Sequence, residues 1–348
     1  MNWAHAEENA LPDAQPEKSS PEHPKPADPL RSGAVEGLKI LNRKVREESS
    51  RRNSAKGAEK KRKVPRTLVM SSAQKSGSQW GHSYRLIASE KWKAKSAAMG
   101  RDATDVLVDY ARPTLGMKIL DLASGTGEPA ITLASRIGPE GHVVALDLSP
   151  ELLQIAEERG RERHLTNLTT RQADANNLPF PDQSFDLITS RFGVMFLDED
   201  ALREACRVLR PSSRACFLAW GPFEQPFWSS TMGVVHKRVG GTLVPTDQDP
   251  FKYSQPGSLS SALRRAGFER VEEETRTVSW TWPGTAEEVW EQARAVATPF
   301  LPMFERVPPE KWDEINSEIC RAISNYIVGD DIKFGAVVVL ASGRKPEL

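Results

Sequence analysis

Residues 118–134, KILDLASGTGEPAITLA, decide how the rest of the chain is read. Ile119, Leu120 and Leu122 make a short apolar run that carries one acid, Asp121. Ser124, Gly125, Thr126 and Gly127 follow as a small-residue turn, and then a helical pattern begins. The pattern predicts a buried strand, a tight turn and a helix whose N-terminus faces a ligand. Glycine suits such a turn because a Cβ would restrict φ and keep a ligand away from the backbone.

Outward from this stretch, strands alternate with helices. Val143–Leu146 reads as a second buried strand ending in Asp147. Ser149 is placed to cap the next helix, with Pro150 in its first turn. LTTRQADANNLPF supplies a third strand that runs out at Asp174-Ala175, and Phe185–Ser190 a fourth that breaks near Arg191. Ala201–Leu209 is an amphipathic helix closed by Arg210-Pro211, and ACFLAWGP is a fifth strand. This alternation predicts a doubly wound α/β fold, a mainly parallel sheet with helices on both faces. Two late strands, Glu272–Trp280 and Ala336–Leu340, bring the count to seven and pair at one edge, the last of them antiparallel. The helices between them are expected to form a cap.

Upstream of the central stretch, residues 80–112 show helical patterns, with Val106, Leu107 and Tyr110 on one face. These helices precede the first strand and are placed to cover a ligand, where Trp92 and Lys93 would touch it; a core tryptophan and a surface lysine are the plainer alternative. Residues 1–30 are acidic and proline-rich, with too little apolar surface to offset the entropy of ordering. Residues 31–66 turn basic and end in Lys60-Lys61-Arg62-Lys63. That run reads as a solvated charge cluster, or as a nuclear-import signal or nucleic-acid arm. Met70 opens MSSAQKSGSQW and is a candidate translation start. The expected organisation is therefore a tail over 1–69, helices and an α/β core over 70–220, and cap helices with the last two strands over 221–348.

The 47 basic and 47 acidic residues cancel, so the chain as a whole has no electrostatic claim on nucleic acid or membrane. Its three cysteines, Cys206, Cys216 and Cys320, form no CxxC and lie near no histidine pair, so no zinc site or disulfide framework is expected. No apolar run has the length of a membrane span, and no secretory apolar core opens the chain. An intracellular, cytoplasmic protein is the expectation.

In open parallel sheets ligands bind at the carboxyl ends of the strands. Here those ends carry the glycine turn, then Asp147, then Asp174-Ala175, then Ser190, Arg191 and Phe192. Asp147 is placed to accept hydrogen bonds from two ribose hydroxyls. Asp174 and Ala175 could read an adenine edge with a carboxylate and a backbone N–H. Two cofactors compete. Gly125–Ala130 satisfies a loose G-x-G-x-x-[G/A] dinucleotide fingerprint. Asp121 before the turn and the second acidic strand end suit adenosine with a charged amino-acid tail better than a pyrophosphate, and no hydride-transfer His or Tyr stands out.

The segment from about Trp92 to Trp220 resembles the class I S-adenosylmethionine-dependent methyltransferases. It is most similar to the C-methyltransferases of ubiquinone and menaquinone biosynthesis and their relatives. ILDLASGTGEPA, VVALDLSPELL, QADANNLPFPDQSFDLIT and REACRVLRPSSRACFLAW carry the resemblance. It implies a Rossmann-like methyltransferase fold and S-adenosylmethionine as cofactor. By the same resemblance Ala123, Ser124, Gly125, Thr126 and Gly127 contact the methionine tail, Asp147 binds the ribose, and Asp174 and Ala175 hold the adenine. Asp121, Leu148 and Arg191 complete the candidate cofactor set; Arg191 stands where the family often has a small serine. The chain departs from the quinone enzymes after the fourth strand, where FGLRN becomes Phe192-Gly193-Val194-Met195-Phe196. Met195 and Phe196 thus replace a polar pair implicated near the quinone substrate.

Methyl transfer from a sulfonium needs proximity and desolvation rather than a nucleophilic side chain. No catalytic residue is assigned; His82, Tyr84 and His236 are the candidate bases should the acceptor have to lose a proton. The absence of [DNS]PP[YFW] and of a Pro-Cys pair speaks against amino-nitrogen and cytosine methylation. Phe192, Phe196, Trp220, Phe223, Phe227 and Trp228 are expected to form an apolar acceptor chamber beneath the cap. The expectation is a methyltransferase acting on a small apolar or aromatic molecule. The alternatives are a nucleic-acid-directed methyltransferase or binding protein using the basic tail, and an NAD-type oxidoreductase.

Overall fold

A computed structural model describes residues 93–347. The expectations placed on residues 1–92, among them the tail, Met70, His82, Tyr84 and Trp92, lie outside the described residues, as does the Lys93 side chain. Helices α1 (Lys93–Met99) and α2 (Arg101–Ala111) precede the sheet. The alternating part comprises β1 (Lys118–Leu122), α3 (Ala130–Arg136), β2 (His142–Asp147), α4 (Pro150–Glu162), β3 (Leu168–Gln172), β4 (Phe185–Arg191), α5 (Glu199–Val208) and β5 (Leu209–Trp220). After it come α6 (Pro226–Ser230), α7 (Met232–Val239), α8 (Ser258–Arg265), β6 (Glu269–Pro283), α9 (Ala286–Ala295), α10 (Leu301–Phe304), α11 (Trp312–Ser324), β7 (Ile327–Val328) and β8 (Asp331–Arg344).

The sheet runs β3-β2-β1-β4-β5-β8-β6. The first five strands are parallel, and β8 is antiparallel to both of its neighbours. The seven expected strands are all present. An eighth, the two-residue β7, pairs with the start of β8; two exposed residues have no periodicity from which a strand could be read. The central strands are buried on both faces, as parallel strands covered by helices must be, so they read as mainly apolar runs without alternation, interrupted by Asp121 in β1 and Asp186 in β4. β3 lies at the open edge, and its LTTRQ is correspondingly polar and exposed.

Local signals place the helices. Ser149 caps α4 by accepting from the Leu152 N–H at 3.3 Å, with Pro150 at the first position. Asp198 caps α5 from the N–H groups of Asp200 and Ala201. The face of α2 differs from expectation: its buried stripe is Ala103, Thr104, Leu107, Val108 and Ala111, while Val106 and Tyr110 are only half-buried. Arg210-Pro211 does not close α5 but lies inside β5. There the pairing with β4 slips between Phe185 and Leu187, and Ser212 adopts φ +62°. A proline without an N–H is tolerated where the ladder is already interrupted.

The largest departure is the length of the last two strands. β8 spans 14 residues and β6 15. β5 pairs with β8 only from Arg344 back to Val338, whereas β6 follows β8 to Pro283↔Asp331. The β6–β8 ribbon therefore overhangs the end of β5 by about 20 Å at strand rise. Trp280 and Trp282 ride on that overhang, opposite Phe334 and Ile332.

Candidate active site

The turn after β1 is fixed by its own backbone. Ser124 N–H donates to the Leu146 carbonyl and Gly127 N–H to the Ser124 carbonyl, both at 2.9 Å. Ala123, Gly125 and Gly127 take φ of +51°, +55° and +106°. The two glycines serve different ends. A Cβ on Gly125 would meet nothing within 4 Å, so space above it is open to a ligand. A Cβ on Gly127 would lie 2.6 Å from Ile131 Cδ1 and 3.1 Å from Ala156 Cβ, so that glycine lets α3 and α4 close on the turn.

Asp147, at the end of β2, is half-buried and accepts from Gly125 N–H through Oδ2 and from Ser149 N–H through Oδ1, both at 2.9 Å. Burial raises its pKa against these backbone donors. Leu148 beside it is exposed. The β3 end is adjacent, since Ala173 N–H donates to the Asp147 carbonyl at 3.2 Å. Asp174 Oδ1 accepts from Asn176 N–H at 2.9 Å, and Ala175 is buried.

Asp121 lies beneath the turn, fully buried. Thr189 Oγ1 donates to its Oδ1 at 2.7 Å, and the Ser124 hydroxyl also bears on the carboxylate; the buried Ser190 hydroxyl has no hydrogen-bond partner among the described residues. Burial lifts its pKa to about 7. Arg191 closes β4 and reaches back to the α1–α2 junction, donating from Nη1 to the Gly100 carbonyl at 3.1 Å and to Thr104 Oγ1 at 2.5 Å.

A cavity of about 730 Å³ begins at this turn. Thr126, Glu128 and Arg159 line one end of it. Arg159 donates from Nη1 to the Thr126 carbonyl at 3.0 Å and to its hydroxyl at 2.8 Å, and burial lowers its pKa. Sequence reasoning missed this arginine because EERGRER reads as a solvated charge run. The available signal was its place one turn beyond Ala156, beside the buried face of α4.

The other end is aromatic. Phe192 stacks on Trp220 with ring centroids 4.2 Å apart and planes at 17°. Trp280 stands edge-on to both, 5.0 Å from Trp220 and 5.9 Å from Phe192. Trp228 crosses Trp220 at 5.3 Å and stacks on Phe300 at 5.5 Å. Of the expected chamber, Phe192, Phe196, Trp220, Phe227 and Trp228 line the cavity. Phe223 packs against Phe251 instead. Met195 and Phe196, which replace the polar pair, both line it. Trp280, Gln292 and Phe300 join the wall without having been expected there.

The candidate set is thus brought to one end of the sheet but not into one surface. Thr126 and Arg191 line the cavity, Asp121 lies beneath the turn, and Asp147, Leu148, Asp174 and Ala175 stand at the neighbouring strand ends. His236 is outside the cavity, its Nε2 2.9 Å from the Gly241 carbonyl. Among the described residues no helix is long and apolar enough to cross a membrane.

A family profile described as a methyltransferase domain matches residues 119–212. The ubiquinone/menaquinone biosynthesis C-methyltransferase UbiE of Idiomarina loihiensis is 34% identical over 188 residues, which cover 49% of this chain and 73% of that protein. UbiE of Bradyrhizobium diazoefficiens is 30% identical over 197 residues, 52% of this chain and 78% of that protein. Among solved structures, the [4+2]-cyclase SpnF superposes with a TM-score of 0.49 at 20% identity, covering 79% of this chain and 97% of that one. The relatives in sequence are methyltransferases, which sets the dinucleotide oxidoreductase alternative aside.

Proposed function

The chain belongs to the family of the ubiquinone/menaquinone biosynthesis C-methyltransferases and is an S-adenosylmethionine-dependent methyltransferase; from that premise we propose that its acceptor is a small apolar or aromatic molecule held in the cavity beneath the cap. One observation carries this reading: a single cavity runs from Thr126 in the glycine turn to the aromatic wall.

The residues of the turn suit the cofactor. The open space above Gly125, the acid Asp121 beneath the turn, and a carboxylate at the next strand end together favour a ligand with a charged, amine-bearing tail and a ribose. We infer that Ala123–Gly127 and Asp121 hold the methionine part, that Asp147 accepts from the ribose hydroxyls, and that Leu148, Asp174 and Ala175 frame the adenine. The Asp147 carboxylate accepts from the backbone N–H groups of Gly125 and Ser149, with Leu148 N–H beside them, and a carboxylate has about four lone-pair sites, which leaves room for a ligand donor. Bound there, S-adenosylmethionine supplies an electrophilic methyl group on a sulfonium.

The chain's own contribution is positioning and exclusion of water. Arg191 ties β4 to the α1–α2 junction at the cavity wall, and Arg159 holds the Thr126 carbonyl. Of the lining residues that follow Arg191 in the chain, none is titratable. The acceptor atom accordingly meets no base from that wall, which suits a nucleophile that needs none. With Met195 and Phe196 in place of a polar pair, the wall favours a less polar acceptor than the quinone enzymes take. A methyl-donor assay over a cell extract with mass readout tests the reading. Products gaining one methylene on apolar or aromatic molecules support it; labelling confined to protein or nucleic acid overturns it.

A further inference from the structure

The opposite end of the sheet carries a second cavity, of about 520 Å³. It opens where the parallel strands begin, a strand's length from the glycine turn, between the starts of β4 and β5 and the end of the antiparallel β8. Arg214 of β5, Arg344 of β8 and Arg112 at the C-terminus of α2 all line it. Arg214 and Arg344 stand directly opposite each other in the ladder. Like charges placed so are destabilising, and a third guanidinium on the same cavity adds to the repulsion. The protein supplies no counter-charge. Asp186 is the one acid among the lining residues, and it is engaged by Arg210 Nη1 and by the Lys118 N–H. Glu269 neighbours Arg344 on the β6 side of the ladder and makes no ion pair with it. No described acid is paired with Arg112, Arg214 or Arg344.

Two of the three side chains are held in place. Arg344 donates from Nη1 to the Ser212 carbonyl at 2.8 Å, and the Arg214 guanidinium lies 5.3 Å from the centre of the Tyr110 ring. A guanidinium has five N–H donors, so both keep donors for a ligand, and Arg112 keeps all of its own. The Thr114 and Ser213 hydroxyls, also at the cavity, have no partner among the described residues. The planar fork of an arginine matches phosphate oxygens two at a time. A phosphate, with three terminal oxygens and up to two charges, can bridge the facing pair; the two oxygens of a carboxylate satisfy one fork. We infer that Arg112, Arg214 and Arg344 form a second ligand site, which takes the phosphate group of a small molecule. It shares no residue with the cavity at the glycine turn and does not depend on what that cavity binds.

The test uses the full chain with S-adenosylhomocysteine in excess, at fixed ionic strength because exposed charges are screened by salt. Calorimetry measures the binding of phenyl phosphate, inorganic phosphate and benzoate. The variants are Arg112→Gln, Arg214→Gln and Arg344→Gln, with Arg203→Gln on α5 as a control that removes the same charge elsewhere. The expected result is saturable phosphate binding, with a Kd below about 1 mM and about tenfold tighter than benzoate. Each substitution at the site should weaken it about tenfold, and Arg203→Gln should leave it within about twofold. Arg214→Lys keeps the charge without the fork and should recover only part of the loss. A tighter grip on phenyl phosphate than on inorganic phosphate identifies an organic phosphate as the ligand, and equal affinity identifies free phosphate; both support the site. S-adenosylhomocysteine affinity, unchanged within about twofold, shows that each variant is folded. Should a glutamine variant lose it, the Arg214→Lys comparison decides in its place, and phosphate binding equal to the wild type's would count against the site. Absence of saturable phosphate binding, benzoate bound as tightly as phosphate, or an equal loss in Arg203→Gln each overturns the inference.

Discussion

The Asp147 carboxylate holds the backbone N–H of Gly125 at 2.9 Å, joining the end of the second strand to the turn after the first. One side chain thereby shapes the surface on which we place the methionine tail and offers its remaining lone pairs to the ribose. Asp147→Ala removes both contributions. The expected result is a loss of about 1–3 kcal/mol in S-adenosylhomocysteine affinity by calorimetry, the scale for hydrogen bonds to a charged group. Unchanged affinity would show that the cofactor lies elsewhere.

Gly125 and Gly127 separate binding from stability. Gly125→Ala puts a Cβ into open space at φ +55°, so it should cost only about 1 kcal/mol of fold stability while obstructing the ligand. Gly127→Ala drives a Cβ against Ile131 and Ala156 at φ +106° and should cost more, roughly 2–4 kcal/mol. Thermal melts with and without S-adenosylhomocysteine check this. A larger drop in melting temperature for Gly125→Ala than for Gly127→Ala would contradict the division.

Asp121 should make stability fall with rising pH. Its folded-state pKa, about 7, lies above the ordinary aspartate value of 3.8, so the folded state holds a proton that the unfolded state has released. That contribution is complete below about pH 4 and is lost as pH climbs through about 7. Asp121→Asn keeps an acceptor for Thr189 and cannot ionise. Between pH 4 and 7 the variant's melting temperature should decline less than the wild type's. Parallel profiles would mean that Asp121 is ionised in the fold throughout.

Arg159→Met should loosen the turn without touching the aromatic wall. Two donated bonds to Thr126 are lost, and about 1–2 kcal/mol of cofactor affinity should go with them. KM for S-adenosylmethionine should rise while acceptor KM stays put; the reverse split would place Arg159 on the acceptor side.

Much of the fold was legible because buried parallel strands have a simple signature. Val143–Leu146 is apolar without alternation, as is Ile119–Leu122 but for Asp121, and each leads into a polar group at the ligand face. The turn and Asp147 were legible for the same reason, spacing along the chain being enough to bring them to one end of the sheet. Trp280 was not. Its role depends on how far β6 and β8 run past β5, and alternation within a strand carries no information about where its neighbour stops. Phe223 failed in the opposite sense: an aromatic-rich segment predicts burial, but only packing decides that Phe251 and not the cavity receives it. Arg159 was hidden by composition, since a guanidinium in a run of charges looks solvated until its hydrogen-bond partner is seen.

The overhang of the last two strands also bears on how such a protein changes over generations. Trp228, Trp280, Gln292 and Phe300 all come from beyond residue 220, whereas the glycine turn and the acids at the strand ends come from before residue 176. Phe192, Met195, Phe196 and Trp220 belong to the proximal stretch, but the rest of the aromatic wall comes from the distal one. A lineage can therefore retune the distal part of the acceptor wall while inheriting the donor machinery intact.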